Sequence, residues 1–260
     1  QCAQVLNFDV DIKGTNDYFD ISGSDIVIIT AGLARKPGMS REELLKKNAE
    51  IIAISSEQIK LKAPEAIVIN VTNPVDILTY YCLKKTGFPR SRVMGQAGVL
   101  DSARYASFLA METGASVKDI RSMVLGGHGD TMVPAPEYST INGVGIESFI
   151  KSDRISEINK RTANGGGEIV ALLKTGSAYY APAASTVAMA EAIIKDRKQL
   201  IAVSCLLEGE FGHKDLCIGV PVILGKNGIE KIVELNLKQE TRALFDKSAN
   251  FYKEGIKELP

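Results

Sequence analysis

The chain has no tryptophan, only two histidines and only four cysteines in 260 residues, and its 31 basic and 31 acidic side chains cancel to zero formal charge. Each shortage removes a class of function. Two distant histidines without a helical His-x-x-x-His leave zinc no obvious nitrogen pair, so no metal is expected. Cys2, Cys82, Cys205 and Cys217 are scattered and form no CxxC, which excludes a zinc ribbon or dithiol motif; they read as small buried hydrophobes of a reducing cytosol. Balanced charge offers no footprint for nucleic acid or a polybasic membrane surface. No apolar run approaches the roughly 18 residues of a membrane span, and Gln1-Cys2-Ala3-Gln4 is not a signal segment. The expectation is a soluble, cytoplasmic protein, with the reservation that a start without methionine leaves room for a targeting segment upstream.

What is present is a sizeable core: 45% of residues are hydrophobic and 24% charged, enough for one large domain or two closely packed lobes. Phe8 to Lys13 alternates as a half-exposed strand does, and Gly14-Thr15-Asn16-Asp17 breaks it. Ile26-Val27-Ile28-Ile29 is a continuous β-branched run of the kind found in the doubly covered middle of a parallel sheet. It stops at Thr30-Ala31-Gly32, where glycine would let a ligand approach the backbone. Ser40 with Glu43 reads as a capping box that starts a helix running to about Lys62. Ala66 to Val71 is a second β-branched run, ending at Thr72-Asn73-Pro74-Val75-Asp76. Strand, helix and strand make a βαβ crossover, whose ligand belongs at the carboxyl ends of the strands.

Further on, helices are predicted over about 75–86, from about Leu100 to Gly114, and over 155–174, 182–195 and 238–257. A short strand is expected at Arg92-Val93-Met94, short strands and turns over 133–146, and antiparallel strands over 199–224 with a hairpin turn at Gly209-Glu210-Phe211-Gly212-His213. The fold class is therefore α/β, a parallel sheet with a C-terminal α+β region. A change of domain is placed at residue 95, giving lobes of 1–95 and 96–260.

Several residues could carry chemistry. His128 sits in Leu125-Gly126-Gly127-His128-Gly129-Asp130 at the end of an apolar run, and its unperturbed pKa suits proton transfer near neutrality; Gly-His-Gly is equally ordinary turn composition. Asp101 and Arg104, three apart, share a helix face, either as a surface ion pair or as a carboxylate to orient a histidine and a guanidinium to hold an anion. Arg35 and Arg41 flank Pro37-Gly38 in a basic stretch that reads as a solvated loop or as a lid over a small anion. Asn73 offers an amide for a substrate hydroxyl or a cofactor carboxamide, although Asn-Pro also makes turns. His213 sits in a hairpin turn and is not expected to act.

Five stretches in register make the resemblance specific: Ile28 to Leu33 with Arg35 to Arg41, Val71-Thr72-Asn73-Pro74-Val75-Asp76, Gly98 to Arg104, Gly126 to Asp130, and Lys174 to Ala183. Together they resemble the lactate and malate dehydrogenase family over essentially the whole chain, most closely its lactate-dehydrogenase-like malate dehydrogenases. The resemblance implies a Rossmann-type sheet lacking its first βαβ unit, NAD as cofactor, a small dicarboxylate (malate or oxaloacetate) as substrate, a place in the tricarboxylic acid cycle, and a homodimer or homotetramer. It also implies His128 as proton acceptor and donor, Asp101 as its orienting partner, Arg104 as the grip on the substrate carboxylate, and Arg41 as the group that polarises the carbonyl. Arg35 stands at the family's specificity position, where arginine goes with malate and glutamine with lactate. Ser177 joins the substrate site, and Thr30, Ala31, Gly32, Asn48, Val71, Asn73 and His128 the cofactor site. A lactate dehydrogenase that tolerates Arg35, or a silent fragment of the same fold, are the alternatives.

The sequence departs from the family in lacking the GxGxxG turn and the acidic residue that follows it, elements that span about 50 residues. The nicotinamide end of the cofactor site is present and the pyrophosphate and adenosine end is not. Either those residues precede Gln1 in the full protein or the chain is a fragment; the first is preferred, because losing a βαβ unit would expose a strand edge. Gln96, where relatives more often carry an apolar residue, is the second departure.

Overall fold

The computed structural model describes residues 2–33, 40–174 and 178–260, with only the main chain for Cys2, Leu6 and Arg41. After a short helix α1 (Cys2–Leu6), residues 8–13 run exposed and unpaired. The strand predicted there does not form, because its alternating face has no described neighbour to cover it. β1 (Ile26–Ile29), α2 (Arg41–Lys62) and β2 (Ile67–Asn70) make the expected crossover, with β1 and β2 parallel and in register from Ile26–Ile67 to Ile29–Asn70. The capping box at the start of α2 is complete: Glu43 N–H donates to Ser40 Oγ and Ser40 N–H to the Glu43 carboxylate, both at 3.0 Å. α3 (Val75–Thr86) and β3 (Val93–Gly95) continue the winding, and β3 lies parallel to β2.

α4 (Gly98–Thr113) leads into short strands β4 (Ile120–Arg121), β5 (Val124–Leu125), β6 (Val133–Pro134), β7 (Thr140–Ile141) and β8 (Val144–Gly145), then α5 (Ser152–Leu173) and α6 (Tyr180–Ile194). The long hairpin β9 (Gln199–Glu208) and β10 (Lys214–Gly225) is followed by β11 (Gly228–Ile232) and α7 (Gln239–Ile256). The six-stranded sheet has the order β1-β2-β3-β9-β10-β11, so it is parallel in its first half and antiparallel in its second. It continues across residue 95, where Gly95 pairs with Ser204.

β1, expected in the middle of the sheet, is an edge strand among the described residues: it pairs only with β2, and Ile28 is 42% exposed. One core lies between β1, β2 and helices α2 and α3, around Ile52, Ile59, Val68 and Leu78. A second wraps the β9–β10 hairpin with α6 and α7, and a third joins α4 to α5. Burial of these side chains is the main favourable term holding the elements in place, at about 25 cal/mol per Å² of apolar surface. Among the described residues, no helix is long and apolar enough to cross a membrane. Cys82, Cys205 and Cys217 are buried free thiols, as expected.

Candidate active site

The carboxyl ends of β1 and β2 sit side by side and are clipped together by two side chains. Thr72 Oγ1 donates to the Ala31 carbonyl at 2.8 Å. Asn48, buried on α2, accepts from Leu33 N–H at 2.7 Å and donates to the Leu33 and Asn73 carbonyls at 3.2 and 2.8 Å. Asn48 therefore shapes the strand ends through the backbone. At Gly32 the close neighbour is Thr72, whose methyl occupies the space a side chain would need. Thr30 and Ala31 remain exposed above these strand ends, and Val71 is half-buried. Asn73 Oδ1 accepts from Val75 N–H at 3.2 Å, and its Nδ2 makes no hydrogen bond among the described residues.

His128 follows β5 through two glycines with different tasks. Gly126, at φ 80°, exchanges two backbone hydrogen bonds with Gly219 of β10. A side chain on Gly127 would run into the ring of Tyr252 from α7. Having been led in this closely, His128 is held at three points. Its N–H donates to Asp76 Oδ2 at 2.7 Å, its carbonyl accepts from Tyr252 O–H at 3.0 Å, and its Nδ1 lies 2.8 Å from Asp101 Oδ2. Gly127 N–H donates to Ser248 Oγ at 2.9 Å, a further tie to α7. Nε2 makes no hydrogen bond among the described residues, which leaves it available for exchange with a ligand.

Asp101 is only 2% exposed and stands in the first turn of α4, where the helix dipole favours a negative charge. One turn on, Arg104 Nη1 lies 3.3 Å from Asp101 Oδ1 and 3.4 Å from the Thr162 carbonyl of α5. Gly165 of α5 makes room for that guanidinium arm, since a Cβ there would lie 2.5 Å from Arg104 Cδ. Burial pulls the His128 pKa down, but the charge and hydrogen bond of Asp101, with the charge of Asp76, outweigh it and raise the imidazole above its ordinary value.

A cavity of about 510 Å³ opens beside His128 and is lined by Asn73 and Thr131 with apolar Leu44, Ile77 and Phe251. A larger hollow of about 600 Å³ lies near the amino ends of β1 and β2 and has none of the expected site residues on its wall, so it has no part in this chemistry. Among the described residues, no cluster of His, Cys, Asp and Glu could hold a metal ion.

The structure thus joins His128, Asp101 and Arg104 directly, and Asn73 lines the same cavity as His128. Arg41 is the first residue of α2, and its side chain, with Arg35 and Ser177, lies outside the described residues. Sequence reasoning missed Asp76, Tyr252 and Gly165. Gly165-Gly166-Gly167 inside a helical stretch was a usable signal, because glycine there needs a packing reason. Asp76 within the apolar run Val75 to Leu83 was another, a charge where the helix should be buried. Tyr252 gave none.

Comparison with known proteins covers nearly the whole chain. Residues 1–95 match the model for the lactate/malate dehydrogenase NAD binding domain, and 98–259 that for the lactate/malate dehydrogenase alpha/beta C-terminal domain. The malate dehydrogenase of Geotalea uraniireducens (strain Rf4) is 54% identical, over 98% of this chain and 84% of that protein. The crystal structure of Cryptosporidium parvum malate dehydrogenase superposes with a TM-score of 0.95 at 44% identity, over 99% of this chain and 83% of that one. The lactate dehydrogenase of the same organism, complexed with lactic acid and nicotinamide adenine dinucleotide, gives 0.93 at 41% identity, over 100% and 84%. With a buried His–Asp–Arg constellation at the strand ends and both family models matched in order, the chain belongs to the lactate/malate dehydrogenase family.

Proposed function

We infer that this protein is an NAD-dependent malate dehydrogenase, interconverting malate and oxaloacetate. The observation that carries the reading is the constellation itself: an imidazole whose Nδ1 is fixed by a buried carboxylate and whose Nε2 is open, beside a guanidinium held one helical turn from that carboxylate.

The residues fit the nicotinamide end of the cofactor, since the Asn73 amide has an unused donor on the cavity that His128 lines. NAD, when bound, supplies the hydride acceptor. Thr30, Ala31, Gly32, Val71 and Asn73 would border it, with Asn48 fixing the backbone that carries them. As malate is oxidised, its hydroxyl proton passes to His128 Nε2. Asp101 keeps the proton of the neutral ring on Nδ1 and stabilises the imidazolium that forms. Arg104 holds the carboxylate next to the reacting carbon as a two-pronged donor. In this reading Arg41 polarises the carbonyl, Arg35 pairs with the second carboxylate, and Ser177 completes the substrate site.

The assignment of malate over lactate rests on Arg35. A guanidinium facing a substrate without a second carboxylate stays unpaired, at a cost of about 2–5 kcal/mol, or at least ~30-fold. The native protein should therefore prefer oxaloacetate to pyruvate in kcat/KM, and Arg35→Gln should cut that ratio at least ~30-fold. An unchanged ratio overturns the role of Arg35, and a native preference for pyruvate makes the protein a lactate dehydrogenase.

The reading includes a homodimer or homotetramer in the reducing cytoplasm. The exposed apolar residues Val187 and Ile194 on α6 and Ile54 and Leu61 on α2 support a covered surface, and the buried free thiols support the compartment.

A further inference from the structure

The group in the site with no assigned task is Asp76. It is completely buried at the start of α3, and one carboxylate oxygen accepts from the His128 N–H at 2.7 Å. Among the described residues the other, Oδ1, has no hydrogen-bond partner, and neither has the buried Ser204 Oγ of β9, although that hydroxyl favours the ionised carboxyl. A buried charge with an unused oxygen is an expensive way to hold one amide, since asparagine would accept the same bond. The charge itself therefore needs a reason.

Resting on the reading of His128 as the proton carrier, we propose that Asp76 is a positioning residue: it fixes the histidine's main chain and places a second negative charge beside the His128–Asp101 pair. Two observations carry this besides the hydrogen bond. Asp76 acts on His128 in the same direction as Asp101, favouring the imidazolium, while Arg104 opposes both. Second, among the described residues every other titratable group facing Asp76 is neutral near pH 7 or is a carboxylate. Burial pushes the thiols of Cys205 on β9 and Cys217 on β10 and the phenol of Tyr252 on α7 upward, and Asp101 on α4 repels it. Among the described residues, the imidazolium is thus the cation that the charge of Asp76 stabilises.

The chain has only two histidines, so His128 can be titrated directly. Imidazole proton NMR of the whole protein, with His213→Asn assigning the second signal, is compared between native protein and Asp76→Asn. The substitution keeps an acceptor for the His128 N–H and removes the charge. The His128 pKa should fall by about half a unit or more. Oxaloacetate reduction needs the protonated ring, so its alkaline limb should move to lower pH by the same amount, and malate oxidation should gain at its acid limb. Ser204→Ala, which makes the carboxyl harder to ionise, should act in the same direction more weakly, and serves alone should Asp76→Asn not fold. A His128 pKa that stays put in every variant that folds overturns the proposal. A pKa that moves without the rate profile following leaves the proposal standing and overturns His128 as the proton carrier.

Discussion

Both histidines of this chain lie against an aspartate, His128 at 2.8 Å from Asp101 and His213 at 2.7 Å from Asp246, yet they occupy different kinds of place. At the hairpin between β9 and β10 the bonded nitrogen is Nε2, and the carboxylate is shared with Arg242 of the same helix at 2.9–3.0 Å. Asp246 keeps 38% of its side chain in solvent, and the imidazole packs edge-on against Phe245. At the strand ends the bonded nitrogen is Nδ1, the carboxylate is 2% exposed, and the histidine's own N–H and carbonyl are tied to α3 and α7. A His–Asp distance is therefore a poor marker of a site. The useful marks are a carboxylate withdrawn from solvent and a backbone that cannot turn the ring away.

The strongest test of that distinction is to remove each ring in turn. His128→Asn deletes the proton carrier and should lower kcat for malate oxidation by ~10²–10⁴-fold, the range for general acid–base groups. His213→Asn should leave kcat and KM within about twofold, as measured by initial rates under identical conditions. Comparable losses in the two variants would erase the contrast.

The carboxylates should separate on stability as well. Burial pushes Asp76 up to about 6 from its ordinary 3.8. The folded state thus binds this proton more tightly than the unfolded chain, so the carboxyl costs stability as pH rises from about 4 to 6. Two pKa units correspond to about 3 kcal/mol, an order of magnitude for a fully buried acid. Asp76→Asn should remove that pH-dependent loss, so the variant's stability relative to the native protein rises across this window in urea unfolding. A native protein whose stability relative to the variant is flat from pH 4 to 7 would mean that Asp76 is not paying for its charge.

How much of this was legible beforehand follows from what each signal depends on. Ser40 with Glu43, the β-branched run at 66–71 and Pro74 before α3 are local, and the elements they announce formed within a residue or two. Phe8 to Lys13 and the placing of β1 depended on which strands lie alongside, and a run of alternating or apolar residues carries no information about its neighbours. In the site, Asp101 and Arg104 were visible because one helical turn brings them together. Asp76 stands out in the sequence only as a charge in an apolar run and Tyr252 not at all; they reach His128 from 52 and 124 residues away, so only the folded chain could show those contacts.

The mildest expectation concerns the hairpin pair. Burial raises the Asp246 carboxyl, but hydrogen bonds from His213 and Arg242 outweigh it and hold the group below its ordinary 3.8. A depressed carboxylate stabilises the fold above its unfolded pKa, and the contribution fades as pH falls through the folded value. More than a third of this side chain is exposed, so solvent screening limits the contribution to about 1 kcal/mol or less. Asp246→Asn should lower stability by that much at pH 7, with the difference shrinking below pH 3.8 and with 0.5 M salt, and malate oxidation should be unaffected. A loss of several kcal/mol would mean that the hairpin pair is as enclosed as the pair at the strand ends, and that exposure does not divide the two.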